Sequence, residues 1–204
     1  MTVVCVLRSG GEYTAAHVLR LAKQVRVYAP AETRFICLTD MDVAGVETQP
    51  LHWGWPGWWS KMELFSPALR GDLLYLDLDS TVVGDLRPLL TFGRVALMQD
   101  VYRPHGLQSS VMYLPAQARA EIWGPWVLNP VHWMRKHRRG GDQAFLERFW
   151  INRARRWQAD LPGHVLSYKA DLRGGMAPLP SAARVVAYHG QPRPWTSGDV
   201  YAAA

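Results

Sequence analysis

The run Leu73-Leu-Tyr-Leu76 carries no charged residue on either face of a strand, and it ends in Asp77-Leu-Asp79. Strand side chains alternate between faces, so a run that is apolar at every position must be covered on both. This requires a layered α/β fold with helices packed on both sides of a sheet. It also places two carboxylates at a strand's carboxyl end, where open α/β sheets bind their ligands.

The neighbouring segments predict the rest of that sheet. Thr2 to Leu7 is an apolar strand followed by the glycine-bearing turn Arg8-Ser-Gly-Gly-Glu-Tyr13. Ala15, Val18, Leu19, Ala22 and Val25 recur at helical spacing, and Phe35-Ile-Cys-Leu-Thr-Asp40 reads as a second buried strand. Together these make a β-α-β unit and hence a parallel pair. Pro50 to Trp59 reads as a loop, and Ser60-Lys-Met-Glu63 as a capping box that opens a helix with Lys61 in its first turn. Further strands are predicted at Val95 to Met98, Val111 to Leu114 and Arg184 to Tyr188. Helices are predicted at Ala116 to Trp123 and at Gly141 to Trp150, with Phe145, Leu146 and Phe149 inward. With 204 residues and no repeat, low-complexity tract or clear linker, residues 1–204 read as one domain.

Two carboxylates spaced two apart cannot converge on one ion from an ideal strand end unless the chain turns there, and Ser80-Thr81 supplies the turn. Hard oxygen ligands of this kind suit Mn²⁺ or Mg²⁺, which also bind diphosphates. A cation such as Lys61 in a first turn opposes the positive end of the helix dipole, so an anionic ligand is an attractive explanation for it. Each residue also has an ordinary structural reading when taken singly: Lys61 as a solvated cation, Asp142 as an N-cap, His189 as a strand-end histidine.

The order of these segments resembles the family 8 glycosyltransferases, the group that includes glycogenin and bacterial lipopolysaccharide glycosyltransferases of the GT-A fold. The most specific match is Leu74-Tyr-Leu-Asp-Leu-Asp-Ser-Thr-Val-Val-Gly-Asp-Leu-Arg-Pro-Leu89, which is similar to the family's metal strand and the segment after it. Gln108-Ser-Ser-Val-Met112 occupies the place of the family's Asn-Ser-Gly-Val-type segment, with Gln108 and Ser110 departing from it. Gly141-Asp-Gln143 and Gly190-Gln-Pro-Arg-Pro-Trp195 match in the same order, with Arg193 where the family has Lys. The resemblance implies a GT-A-type, Rossmann-like, mostly parallel central sheet flanked by helices. It implies hexose transfer from a nucleotide-sugar, a UDP-sugar by family habit, with retention of anomeric configuration. It assigns Asp77 and Asp79 to the metal, with His189 as third ligand; the family's His stands three residues before the Gly, where this chain has Ala187. Glu12, Tyr13, Lys61, Asp77, Gln108, Ser109, Gly190 and Arg193 are assigned to the donor, and Asp142 and Gln143 to the reacting carbon.

Two other readings start from the same residues. Asp77-Leu-Asp-Ser-Thr81 has the spacing of the haloacid dehalogenase nucleophile loop, with Asp77 as nucleophile. That phosphatase fold needs a later Lys followed by an acidic pair, whereas Lys169 follows Asp142 here. The other is a non-catalytic module that binds a sugar-nucleotide. Nucleic acid is disfavoured: the net charge of +6 gathers in Arg135-Lys-His-Arg-Arg139 and Arg153-Ala-Arg-Arg156 without regular aromatic alternation, and no zinc or helix-turn-helix pattern is present. Cys5 and Cys37 lie in apolar runs and read as buried free thiols. No apolar stretch approaches a membrane span, and the first eight residues are too short for a signal peptide. The reading is therefore a soluble, cytoplasmic protein whose contact with a membrane would be peripheral. Its acceptor, of carbohydrate, lipid-linked or protein type, and its oligomeric state are not legible.

Overall fold

The computed structural model describes residues 1–173 and 179–198. The apolar runs form the middle of a seven-stranded sheet. Its strands are β1 (Thr2–Leu7), β2 (Arg34–Thr39), β3 (Glu47–Pro50), β4 (Leu73–Leu76), β6 (Ala96–Gln99), β7 (Leu107–Leu114) and β8 (Arg155–Arg156), in the order β3-β2-β1-β4-β7-β6-β8. β3, β2, β1 and β4 run parallel, β7 is antiparallel to both β4 and β6, and β8 is parallel to β6. β5 (Ser80–Val82), β9 (Val165–Ser167) and β10 (Val185–Ala187) form a second sheet in the order β5-β10-β9.

Alternation along β1 sorts two cores. Val3, Cys5 and Leu7 face α1 (Ala15–Tyr28) in a cluster with Val18, Leu21 and Val25. Val4 and Val6 face the opposite layer, where Met62, Phe65, Trp126, Phe145 and Leu146 pack together. That second layer holds α3 (Ala116–Leu128) and α5 (Gly141–Trp150); the short helices α2 (Arg87–Leu90), α4 (Pro130–Lys136) and α6 (Trp157–Asp160) complete the fold. Four tryptophans anchor the layer: Trp126, fully buried, stacks on Trp59 at 5.2 Å between centroids and meets Trp55 edge-on at 5.1 Å, while Trp53 stacks on Trp55. Cys5 and Cys37 are free and buried.

Several sequence expectations are corrected. Ser60 and Glu63 do not cap a helix: they lie inside a 3-10 helix, Gly57–Phe65, which begins after Pro56 with Gly57 at φ 54°. Ser60 Oγ donates to Gly57 O at 2.8 Å, and the Glu63 carboxylate accepts the amides of His52 and Trp53 at 2.7 and 3.1 Å. The acid thus ties down the preceding loop, and Lys61 sits mid-helix. Residues 50–59 are not all loop, since β3 ends at Pro50 and the 3-10 helix begins at Gly57. Leu19 is exposed and Leu21 takes its place in the core. β7 starts four residues earlier than expected and α3 continues past Trp123 through Pro125 to Leu128.

Candidate functional site

The carboxyl end of β4 and the start of the second sheet meet at a tight turn. The Ser80 amide donates to Asp77 O at 2.9 Å, so the chain reverses within the Asp77-Leu-Asp-Ser80 segment and both carboxylates face one cleft. Arg20, from α1, holds this turn from behind. Its guanidinium donates to Leu78 O at 2.9 Å, Ser80 O at 2.7 Å and Thr81 Oγ1 at 3.2 Å. The second sheet delivers the C-terminal motif to the same place, because β10 pairs with β5 and the Tyr188 amide reaches Asp79 O at 3.4 Å.

The cleft has a volume of about 790 Å³, and all twelve residues singled out in the sequence line it: Glu12, Tyr13, Lys61, Asp77, Asp79, Gln108, Ser109, Asp142, Gln143, His189, Gly190 and Arg193. They fall into two charge groups. In the first, Lys61 Nζ lies 2.9 Å from Asp77 Oδ1, 3.6 Å from Asp142 Oδ2 and 3.4 Å from Ser109 Oγ, while Ser109 Oγ donates to Asp142 Oδ2 at 2.7 Å. Burial alone would lower the pKa of the Lys61 ammonium, but Asp142 and Asp77 together hold it above its usual range. Burial raises the Asp142 carboxyl against the opposing pull of Lys61 and the Ser109 hydrogen bond. In the second group, Arg193 binds both Asp79 and Glu12, and the Tyr13 hydroxyl donates to Asp79 Oδ2 at 3.2 Å. Asp79 is 2% exposed; its burial, followed by the nearby Asp77 charge, raises its pKa.

The remaining residues sit around these groups. Gln143 Nε2 donates to Asp100 Oδ2 at 2.9 Å, and the Gln108 side chain bonds Ser110. The Asp142 side chain does not cap α5: Gly140 is the N-cap, and Gly141 follows at φ 62°. A side chain at 141 would put its Cβ 2.8 Å from Trp58 Nε1. Gly141→Ala is therefore expected to cost about 1–2 kcal/mol and to displace Trp58, measured as a lower unfolding midpoint and altered tryptophan fluorescence.

His189 stands at a φ of 34° with Nε2 at 2.7 Å from Ser167 Oγ. Among the described residues no three His, Cys, Asp or Glu side chains gather closely enough to hold an ion by themselves. Burial, and then Lys169, lowers the His189 pKa. A base with a depressed folded pKa takes up its proton first in the unfolded chain. Stability is thus complete above the unfolded value of about 6.5 and falls as pH drops below it. His189→Asn, which keeps a residue type tolerant of positive φ, should flatten that acid-side slope, read as unfolding midpoint against pH.

Sequence reasoning missed three contributors. Tyr75 donates its hydroxyl to Asp77 Oδ1, and the signal was present: a lone phenol in an aliphatic strand, two residues before the acid and on its face. Arg20 sits among the apolar positions of α1 with nothing local to mark it. Trp58 lines the cleft yet is half exposed, unlike the buried Trp59 beside it.

No family model matches the chain, and no curated protein matches it in sequence. Its fold is similar to that of the galactosyltransferase LgtC solved with donor and acceptor sugar analogs, with TM-score 0.66 and 16% identity over 97% of this chain and 90% of LgtC. It is also similar to the glycosyltransferase GlyE of Streptococcus pneumoniae, with TM-score 0.70 and 15% identity over 98% of this chain and 57% of GlyE. A third likeness is to the bifunctional glycosyltransferase WbbM, with TM-score 0.62 and 12% identity over 95% of this chain and 46% of WbbM. The chain thus spans just over half of GlyE and less than half of WbbM. With this strand order, and with the cleft at the carboxyl ends of its parallel strands, the chain has a GT-A-type fold like that of LgtC and GlyE.

Proposed function

We propose that the chain is a glycosyltransferase that takes a hexose from a nucleotide-sugar, a UDP-sugar by resemblance, and transfers it with retention to a carbohydrate acceptor. The observation that carries this reading is the meeting, in one cleft of a GT-A fold, of paired carboxylates at a strand end with two part-buried cations, Lys61 and Arg193.

The same geometry bears on a divalent cation. Asp79 Oδ1 is buried with no hydrogen-bond partner among the described residues, so a hard acceptor oxygen is available beside Asp77. Mg²⁺-type ions are commonly held by one or two carboxylates together with substrate phosphates, so two protein ligands suffice. Asp77 and Asp79 would hold Mn²⁺ or Mg²⁺, with His189 as a candidate third ligand, and the ion would neutralise charge on the departing diphosphate. The chain's own residues do the rest. Lys61 and Arg193 supply fixed positive charge to the phosphates, and Glu12, Tyr13, Gln108, Ser109 and Gly190 shape the donor's seat. Asp142 and Gln143, at the start of α5, face the reacting carbon, where a buried carboxylate stabilises developing positive charge. The phosphatase reading needs a Lys between Asp77 and a later acidic pair, whereas Lys61 precedes Asp77 and Lys169 follows Asp142.

Titrating the protein with a panel of nucleotide-sugars in the presence of Mn²⁺, by calorimetry and by nucleoside diphosphate release, tests the reading. One donor is expected to bind and to be hydrolysed slowly without acceptor. Absence of binding and of release for every donor, with Mn²⁺ or Mg²⁺, would overturn it.

A further inference from the structure

The segment from α3 into α5 carries a surface that the cleft does not explain. α4 (Pro130–Lys136) buries none of its residues. Leu128, just before it, is 85% exposed, and Val131 is 51% exposed. Immediately after them come Arg135, Lys136, Arg138 and Arg139, and from Val127 to Arg139 the sequence contains no acidic residue. None of these four cations forms an ion pair among the described residues. Val131, Met134, Arg135 and Arg138 together line a shallow groove on this face.

We propose that this face docks on an anionic lipid surface, with Leu128 and Val131 entering the headgroup boundary and Arg135, Lys136 and Arg138 on the lipid phosphates. Uncompensated cations beside protruding aliphatic side chains are what such a boundary accepts, since it offers negative charge above and hydrocarbon below. A nucleic-acid surface would instead present open aromatic faces for stacking. Here the main aromatic is committed: Trp133 takes Lys136 and Arg148 against its ring, packs against Phe145 and donates its indole N–H to Pro125 O at 2.8 Å. The face adjoins the cleft through Arg139, which lines it and precedes Gly140 and Gly141. A docked α4 therefore sets the rim of the cleft beside the bilayer.

The inference is independent of the chemistry proposed for the cleft, because it is read on the full chain without donor. Co-sedimentation with vesicles of phosphatidylcholine alone, and of phosphatidylcholine mixed with phosphatidylglycerol, measures it. Binding is expected only to the mixed vesicles and should weaken as salt shortens the screening length. The paired charge reversal Arg135→Glu with Arg138→Glu should lower partitioning about tenfold or more. Leu128→Asp with Val131→Asp should lower it too, and make what remains wholly salt-sensitive. All four residues lie outside the cleft, and circular dichroism together with the unfolding midpoint reports that each variant is folded. Four results would overturn the proposal: no binding by the unmodified protein, equal binding to neutral vesicles, full binding by the charge-reversed variant, or displacement from vesicles by a single-stranded oligonucleotide.

Discussion

Replacing Asp142 by Asn is expected to lower turnover about a hundredfold or more while leaving donor affinity within a few-fold of the unmodified protein. The carboxylate is buried, accepts from Ser109 Oγ at 2.7 Å and lies 3.6 Å from Lys61 Nζ. Burial raises its pKa, so holding its charge in the cleft carries a cost that the fold bears and that ordinary packing does not explain. Asn keeps the size of the side chain and can still accept from Ser109, so the variant isolates the charge. Because the side chain is not the helix cap, little stability should be lost at the start of α5. Gln143→Ala should behave similarly but more mildly, its amide being held by Asp100. The measurement is nucleoside diphosphate release set against donor dissociation constants. Unchanged turnover in both variants would move the reacting centre elsewhere, and loss of affinity alone would make the pair a recognition element.

The middle of the sheet was legible because β1, β2 and β4 are buried on both faces, and continuous apolar runs of that length have few other uses. The edges were not. β3, Glu47–Pro50, is polar and largely exposed and, among the described residues, pairs only with β2, so nothing in its own residues marks it as a strand. β5 and β9 are three residues each, and both owe their existence to β10, which lies far along the chain. The 3-10 helix was misread because Ser60 and Glu63 have capping-box spacing, whereas the backbone is set by Pro56 and Gly57 before them. The site divides along the same line. Asp77, Asp79, Lys61, Asp142 and Arg193 could be singled out from local motifs and their order. That Lys61 stands between Asp77 and Asp142, and Arg193 between Asp79 and Glu12, is tertiary information. So is the grip of Arg20 on the turn, since its partners lie about 60 residues away in sequence.

Asp79→Asn is expected to abolish the stabilisation that Mn²⁺ and a nucleoside diphosphate together give, without unfolding the protein in their absence. Two opposing effects decide the second half of that statement. Loss of the charge removes a partner from Arg193, which keeps Glu12. It also removes a buried carboxylate whose pKa is raised by burial and by Asp77. Such a group is more easily protonated in the folded chain than in the unfolded one, so its charged form weighs against folding at neutral pH, and a neutral side chain relieves that. The two effects act in opposite directions, so the unfolding midpoint without ligand should move little. With ligand, the unmodified protein should gain about 2.7 kcal/mol at a hundredfold excess over the dissociation constant. For a chain of this size that is roughly a 5–10 °C rise in midpoint. The variant should show none of it, and Asp77→Asn should show at most a small part. Thermal unfolding with and without Mn²⁺ plus UDP is the measurement. Equal rises in all three proteins would mean that the ion is not held by these carboxylates, while a variant already unfolded without ligand would make Asp79 chiefly the structural partner of Arg193.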